Sequence, residues 1–217
     1  MNDADVTRLR EAVGADALLW EYGVIVPPDP RAAVAAVRIC AETGTTFAVC
    51  SNSRGSSASP PKGGLLLNLE RLTTVELRAP ALTVRAGAGA PVSAVQAAVA
   101  EAGLAVTALG RGPHPASVGA LVAQGAVPRR SLTGVEAVLA NGDTISFGGV
   151  LKDVVGYDVP ALLLGSMGRL AVLLAVTFRL EPAAASTVVP SGAPGPVPLD
   201  AALARAFDPE SLLRAPA

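Results

Sequence analysis

The clearest structural signal in the chain is the segment EYGVIVPPDPRAAVAAVRICAETGTTFAVC, residues Glu21–Cys50. It contains an apolar strand, Val24–Val26, that is closed by two prolines. Pro30 stands where helices favour proline, in the first turn, and Arg31–Thr43 carries apolar residues at helical spacing. Phe47–Cys50 then has the pattern of a short buried strand. A strand, a helix and a second strand in this order predict a parallel sheet.

Strand and helix patterns continue on both sides of this segment. Before it, Asp3–Val13 has the pattern of an amphipathic helix; after it come a polar loop, Ser51–Gly64, and an apolar strand, Leu65–Leu69. Asn141-Gly142 between two apolar runs predicts a hairpin with a type I′ turn. The other predicted elements are strands over Thr83–Ala86, Val135–Leu139, Thr144–Phe147 and Leu170–Leu180, and helices over Pro91–Ala102 and Leu199–Phe207. This mixture indicates an α+β fold.

Composition restricts the class of partner. The 217 residues are 51% hydrophobic but only 3% aromatic, so the core must be built from Ala, Val and Leu. The formal net charge is -1 without a cationic cluster, which argues against nucleic acid or an anionic membrane as the main partner. The longest apolar run, Leu170–Val176, is too short to span a bilayer, and the N-terminal segment has no signal-peptide core. Cys40 and Cys50 are expected to be reduced thiols of a cytoplasmic protein.

Several common site chemistries are disfavoured. One histidine and two separated cysteines cannot supply a tetrahedral metal site, so no metal ligands are predicted. The histidine, His114, lies between two prolines without a G-x-S-x-G elbow elsewhere, so a serine-hydrolase triad is not supported. Gly87-Ala-Gly89 follows a strand, but Val92 stands where a dinucleotide fingerprint needs its third glycine. A tight turn is the better interpretation of these glycines, and these patterns leave the catalytic residues unknown.

Three stretches, taken in order, resemble one known family. They are Tyr22-Gly-Val-Ile-Val-Pro-Pro-Asp29, Gly112-Pro-His-Pro-Ala-Ser-Val-Gly119, and Leu151-Lys-Asp-Val-Val-Gly-Tyr-Asp158 with its continuation through Leu164-Gly-Ser-Met-Gly168 to Leu180. Together they resemble the FAD-binding domain of the vanillyl-alcohol oxidase and p-cresol methylhydroxylase family. Within that family they look like the FAD-binding subunit of glycolate oxidase and its D-lactate dehydrogenase relatives. The resemblance covers Tyr22–Pro182, most of the chain.

The resemblance implies a two-lobed FAD-binding fold with the cofactor between the lobes. The expected lobes are residues 1–80 and 81–182, followed by a Pro/Gly linker at 183–198 and a C-terminal tail helix region at 199–217. The tail sequence Ala204–Leu213 is similar to the segment that follows the family's substrate-binding cap domain. Because only the linker separates it from the preceding strand, we expect the cap domain to be missing.

The resemblance also implies non-covalent FAD and the residues that hold it. The diphosphate is expected in the loop Ser51–Ser56, as an anion nest of backbone amides, and at the helix start Ser117–Ala120. The adenine end is expected on backbone near Gly168–Val172. The residues assigned to the cofactor are Asn52, Ser53, Arg54, Gly55, Ser56, Gly112, Ser117, Val118, Gly119, Val122, Gly168 and Val172.

The chain departs from the family's pattern at several of these positions. The nest is a near-continuous glycine run in the family but reads Asn52-Ser-Arg-Gly55 here. Ser and Arg at positive φ would each cost about 1 kcal/mol or more, which Arg54 could partly offset by a charge-assisted contact to phosphate. At four other positions the family usually has Gly, Glu, Thr and Gly. In this chain they are, in the same order, Ala120, Met167, Arg169 and Ala171. The changes have two interpretations, an altered flavin site or relaxed selection for flavin binding.

Two functions of different classes follow from this resemblance. The first is an FAD-binding oxidoreductase of the glycolate oxidase type, which oxidises a 2-hydroxy acid by hydride transfer to flavin and needs a partner oxidoreductase subunit. The second is a cofactor-free accessory or scaffold protein that retains the fold, favoured by the altered glycine loop. Non-redox chemistry on an apolar substrate is a third, remote option. Covalent flavin attachment is not expected, because His114 is the only histidine and Cys50 precedes the loop.

Overall fold

Two five-stranded sheets organise the protein, whose computed structural model describes residues 1–51, 58–110, 116–149, 158–183 and 199–214. In the first sheet the strands lie side by side as β1 (Leu18–Leu19), β2 (Val24–Ile25), β4 (Leu65–Asn68), β3 (Phe47–Cys50) and β12 (Leu213–Arg214). In the second they lie as β5 (Val75–Arg78), β6 (Thr83–Gly87), β10 (Val172–Arg179), β8 (Leu132–Val138) and β9 (Thr144–Gly148). A small sheet pairs β7 (Leu104–Ala105) with β11 (Glu181–Pro182).

The first sheet is parallel at its centre, as the sequence predicts. Strand β4 pairs in parallel with β2 on one side and with β3 on the other, and only the edge strand β1 is antiparallel. Helices α1 (Asp3–Val13) and α2 (Pro30–Glu42) contact each other and belong to this lobe. Helix α2 begins where its sequence indicates, because the Asp29 carboxylate accepts the Ala32 N–H at 2.9 Å and Pro30 follows in the first turn. The bounds predicted for both helices are confirmed to within one residue.

The second sheet is antiparallel, and its outer hairpin corrects one prediction. The hairpin of β8 and β9 is present, but Val138 pairs with Thr144, so the loop runs from Leu139 to Asp143. Within this loop, all of which the structure describes, only Gly142 has a positive φ, of 88°. A type I′ turn needs positive φ at both central residues, so the predicted turn type is wrong. Asn141 instead accepts the Asp143 N–H on its side chain, which favours the longer loop.

Helices cover the second sheet and close one continuous core with the first. They are α3 (Val92–Ala100), α4 (Val118–Ala123) and α5 (Val159–Leu163). The buried apolar cluster extends from Leu9 and Ile25 in the first lobe to Val84 and Phe178 in the second. As the composition predicts, most of its members are Ala, Val and Leu. The two sheets therefore form one packed unit.

The C-terminal tail returns to the first lobe. The predicted short helix is present as α6 (Ala201–Phe207), and the chain after it forms β12, which lies parallel to β3 at Phe47 and Ala48. Buried Asp208 shapes the turn between them, because its carboxylate accepts the N–H groups of Leu212 and Leu213 at 2.9 and 2.7 Å. Nothing in the local sequence indicated that the tail would supply a strand of the first sheet.

A glycine turn joins the two lobes; we call Gly87-Ala88-Gly89 the lobe-joining turn. Its Gly87 and Gly89 N–H groups donate to the carbonyls of Thr74 and Leu72, in the segment that leaves the first sheet. A Cβ on Gly89 would lie 2.0 Å from the Leu69 carbonyl oxygen, so no other residue fits there without moving the backbone. The prediction of a tight turn at these glycines is confirmed.

The boundary predicted between the lobes at residue 80 stays a prediction. Because β5 pairs with β6, we propose that the second lobe begins before Val75. The predicted linker lies outside the described residues, apart from Ala183. In the part of the chain that the structure describes, no helix is long and apolar enough to cross a membrane.

Candidate cofactor site

Of the predicted cofactor residues that the structure describes, Ser117, Gly119 and Gly168 lie near one edge of the first sheet. Strands β3 and β4 are parallel and end together, since Cys50 pairs with Asn68. Ser51 follows β3 and Glu70 follows β4, so both lie at this carboxyl edge, which we call the site edge. The lobe-joining turn and the start of α4 face it from the second lobe. Ligands of α/β proteins bind at such edges, beyond the carboxyl ends of parallel strands.

Two hydroxyl groups join the lobes at the site edge; we call Ser51 and Ser117 the serine pair. Their Oγ atoms lie 2.7 Å apart, and Ser117 Oγ also accepts the Ala120 N–H at 3.2 Å as the N-cap of α4. Ser117 is 4% exposed. The pair has two hydroxyl protons, and its mutual hydrogen bond uses one of them. Whichever serine donates, one proton of the pair has no acceptor among the described residues and can be donated to a ligand oxygen.

The first amides of α4 have acceptors inside the protein. The Val118 N–H donates to the Ala90 carbonyl at 3.0 Å, and the Gly119 N–H donates to the Ala88 carbonyl at 2.9 Å. A Cβ on Gly119 would lie 2.6 Å from the Ala88 oxygen, so this glycine permits close packing of the helix on the lobe-joining turn. The predicted contact of these two amides with a diphosphate stays a prediction, and in this conformation they bind the turn instead.

The segment around Gly168 borders the same site. The Gly165 and Met167 N–H groups donate to the carbonyls of Val122 and Ala123 at the end of α4. A Cβ on Gly168 would lie 3.9 Å from Val49 Cβ, which places the segment beside β3. Met167 and Gly168 both have positive φ, of 54° and 71°. The assigned valines, Val118, Val122 and Val172, are fully buried, so only their backbone could contact a cofactor.

Six assigned positions lie outside the described residues, namely Asn52, Ser53, Arg54, Gly55, Ser56 and Gly112, as does His114. The same holds for most of the Leu151–Asp158 motif. Its last residue, Asp158, is described: it caps α5 by accepting the Ala161 N–H and forms an ion pair with Arg129, whose Nε lies 2.9 and 3.0 Å from its oxygens. This end of the motif is therefore fixed to the entry of β8.

The sequence did not lead us to Glu70 at the site edge, and Ser51 was not among the residues assigned to the cofactor. Among the described residues, only Glu70 Oε2 and Thr83 Oγ1 are buried side-chain oxygens without a hydrogen-bond partner. Glu70 is the first charged residue after the apolar strand β4. Because parallel strands end at one edge, that position was the available signal for placing a carboxylate beside the loop at Ser51.

The described residues contain no evident catalytic group. Burial raises the pKa of the Cys40 thiol to about 12, so it stays protonated and unreactive. No cluster of three or more His, Cys, Asp and Glu side chains that could hold a metal ion is found in these parts of the chain. The described residues offer a ligand a hydroxyl donor and a carboxylate acceptor at the junction of the two lobes.

Known proteins share both the sequence and the fold of this chain. An FAD binding domain model matches residues 22–148. A D-lactate dehydrogenase of Archaeoglobus fulgidus is 34% identical over 58% of this chain and 30% of that protein. An FAD-linked oxidoreductase of Mycobacterium tuberculosis is 30% identical over 72% of this chain and 37% of that protein. Glycolate oxidase subunit GlcE of Escherichia coli is 33% identical over 46% of this chain and 32% of that subunit.

Solved structures agree on the fold. The glucose dehydrogenase Phl p 4.0202 superposes with a TM-score of 0.69 at 19% identity, over 83% of this chain and 44% of that one. p-Cresol methylhydroxylase with substrate bound superposes with a TM-score of 0.65 at 17% identity, over 83% of this chain and 43% of that one. At such identities the likeness establishes the fold alone. The predicted family and two-lobed fold are confirmed.

These comparisons also support FAD as the cofactor, as predicted. The chain spans about a third of the length of the curated relatives named above. Since the family model matches more than half of the chain and the sheets have the family's architecture, the chain belongs to the FAD-binding domain family with the p-cresol methylhydroxylase type of fold.

Proposed function

We propose that this chain is the FAD-holding module of a cytoplasmic oxidoreductase of the glycolate oxidase type, which oxidises a 2-hydroxy acid. The observation that carries the proposal is the serine pair. It joins the two lobes at 2.7 Å, at the carboxyl edge of the parallel strands, and retains one hydroxyl proton for a ligand. A hydroxyl donor at this edge suits a phosphate oxygen.

The chemistry of the site edge fits a dinucleotide. One hydroxyl of the serine pair would donate to the diphosphate, and the assigned residues Asn52–Ser56 and Gly112 would bind it as well. The backbone of Gly168 would hold the adenine end, beside Val49. We propose that the binding is non-covalent. The roles of Ser51, Ser117 and Gly168 are assigned from the chemistry of these groups and from their places at the site edge, whereas the roles of Asn52–Ser56 and Gly112 rest on the family resemblance.

When bound, FAD supplies a two-electron acceptor for the hydride that leaves the hydroxyl-bearing carbon of the substrate. The substrate also loses its hydroxyl proton and becomes a 2-oxo acid, so a base is required. We propose that a partner subunit provides this base. The name of the GlcE relative, a glycolate oxidase subunit, supports an assembly of more than one chain.

One observation favours the second candidate, a cofactor-free accessory protein. The Val118 and Gly119 amides, which would be free to bind an anion, already donate to Ala90 and Ala88. A site whose donors are used internally binds phosphate more weakly. The same experiment therefore has to decide between the two functions.

That experiment is the visible absorption spectrum of the purified protein, together with its melting temperature with and without added FAD. We expect flavin absorption bands that survive gel filtration and disappear on denaturation and removal of the released cofactor. We also expect FAD to raise the melting temperature, since a ligand that binds only the folded state stabilises it. A colourless protein whose melting temperature is unchanged by FAD would reject the flavoprotein and favour the accessory role.

A further inference from the structure

We infer that Glu70 is an additional binding residue of the cofactor site, whose buried carboxylate oxygen accepts a hydrogen bond from a sugar hydroxyl of the bound dinucleotide. This inference rests on the proposed function. Glu70 belongs to none of the three stretches that carry the family resemblance. Its assignment to the site comes only from its environment in the fold.

One carboxylate oxygen of Glu70 lacks a hydrogen-bond donor among the described residues. Within the described part of the chain, its Oε2 atom is buried and has no hydrogen-bond partner. A buried carboxylate oxygen has lost its water and gained nothing in exchange, which is unfavourable. Buried polar groups without partners are uncommon in folded proteins and each calls for an explanation. A ligand that brings a donor to this atom would recover the lost hydrogen bond.

The backbone holds Glu70 firmly at the site edge. Its own N–H donates to Asn68 Oδ1 at 3.1 Å, and the N–H of Leu69 donates to the Cys50 carbonyl at 2.8 Å. On the other side, a Cβ on Gly89 would lie 2.9 Å from the Glu70 carbonyl carbon. The residue therefore lies between the strand end that leads to Ser51 and the lobe-joining turn. These contacts fix the position of the Glu70 backbone at the site edge.

The charge of Glu70 determines which part of a dinucleotide it can bind. An ionised carboxylate accepts hydrogen bonds and donates none, and it repels phosphate. The serine pair offers the opposite chemistry, a donor for a phosphate oxygen. A donor and an acceptor at one edge are complementary to a sugar phosphate, in which hydroxyl groups adjoin phosphate oxygens. FAD has such hydroxyl groups on both sides of its diphosphate, in the ribityl chain and in the adenosine ribose.

The test compares Glu70→Leu and Glu70→Gln with the unmodified chain. Dissociation constants are measured by titration calorimetry for FAD, FMN and ADP, and melting temperatures are measured for the cofactor-free proteins. We expect Glu70→Leu to weaken FAD binding about 10- to 100-fold, while leaving the melting temperature of the cofactor-free protein unchanged or higher. Glu70→Gln keeps an acceptor oxygen and should weaken FAD only a few-fold. Glu101→Leu, at an exposed position after α3, is the matched control and should change neither quantity.

The two smaller ligands locate the hydroxyl. If Glu70→Leu loses affinity for FMN but not for ADP, the contact is to the ribityl chain. If it loses affinity for ADP but not for FMN, the contact is to the ribose, and either result supports the inference. Glu70→Leu that binds FAD as tightly as the unmodified chain would overturn it, as would a lower melting temperature with no change in affinity. If the unmodified chain binds none of the three ligands, the proposed function itself fails, and the role of Glu70 fails with it.

Discussion

Two polar clusters of this protein are built in opposite ways. On the second sheet, Arg85 donates to Glu136 at 2.6 and 2.7 Å and to Glu76 at 3.0 Å, so each of these charges has a partner. At the site edge, Glu70 has a buried oxygen without a partner in the described residues, and the serine pair retains a proton. Fully paired groups contribute to stability, whereas unused donors and acceptors provide capacity for a ligand. We therefore expect the Arg85 cluster to act on stability and the site edge to act on ligand binding.

Replacing Gly89 should have the largest effect, because it disrupts the backbone of the site edge itself. In Gly89→Ala the new Cβ would lie 2.0 Å from the Leu69 oxygen, so the lobe-joining turn must move. We expect the free energy of unfolding, measured with urea, to fall by about 3–5 kcal/mol. Gly44→Ala is the control, since its Cβ meets nothing within 4 Å and only the positive φ of 63° is strained. It should cost about 1 kcal/mol. Equal losses in the two variants would contradict the close packing.

The serine pair allows the site edge to be tested without changing the Arg85 cluster. After Ser51→Ala alone, the Ser117 hydroxyl keeps a proton to donate, so FAD affinity should change less than about threefold. After Ser51→Ala with Ser117→Ala no hydroxyl is left, and affinity should fall about 10- to 100-fold, as for a hydrogen bond to a charged group. Titration calorimetry of both variants, with the exposed Ser93→Ala as control, measures this. Additive effects of the two substitutions would show that the hydroxyls act separately.

Lowering the pH should reveal a smaller contribution to stability, that of Arg85 with Glu76 and Glu136, which we call the paired cluster. The hydrogen bond from Arg85 lowers the pKa of Glu136 below its usual value. A carboxylate with a lowered pKa stabilises the fold above its unfolded pKa of about 4.3, and this stabilisation is lost as the pH falls through the folded pKa. The pair is partly exposed, so its worth is about 0.5–1 kcal/mol.

We therefore expect Glu136→Gln to lower the free energy of unfolding at pH 7 and to reduce its decline below about pH 4.3. Urea unfolding at a series of pH values measures both effects. Glu11→Gln, at an exposed position of α1, is the control and should follow the unmodified chain. An acid limb that is unchanged in Glu136→Gln would mean that the paired cluster contributes nothing to stability.

The sequence predicted correctly those elements whose start or turn is set by a few neighbouring residues. Asp29 and Pro30 start α2 because a cap and a first-turn proline act within a few residues. Gly87 and Gly89 indicated a tight turn because their spacing follows a strand. The type I′ turn was wrong because Asn141 has a side-chain alternative that the dipeptide rule does not include.

The long-range features could not be predicted in the same way. Pairing of Leu213 with Phe47 depends on the completed sheet. The family resemblance implied an anion site at the start of α4, but whether the Val118 and Gly119 amides are available depends on where the lobe-joining turn lies. The carboxylate of Glu70 became informative only when its burial was known. Such properties arise from tertiary packing and have no signature in a short window of sequence.

The return of the tail to the first sheet has a consequence for biosynthesis. Strand β3 belongs to the part of the chain that is translated early, but its neighbour β12 emerges late. While the ribosome makes the intervening residues, β3 therefore presents an unprotected flank of N–H and C=O groups. Such a flank can recruit strands of other nascent chains. Chaperone-free translation of messages that stop before Asp208 should accordingly yield more insoluble product than translation of the full message.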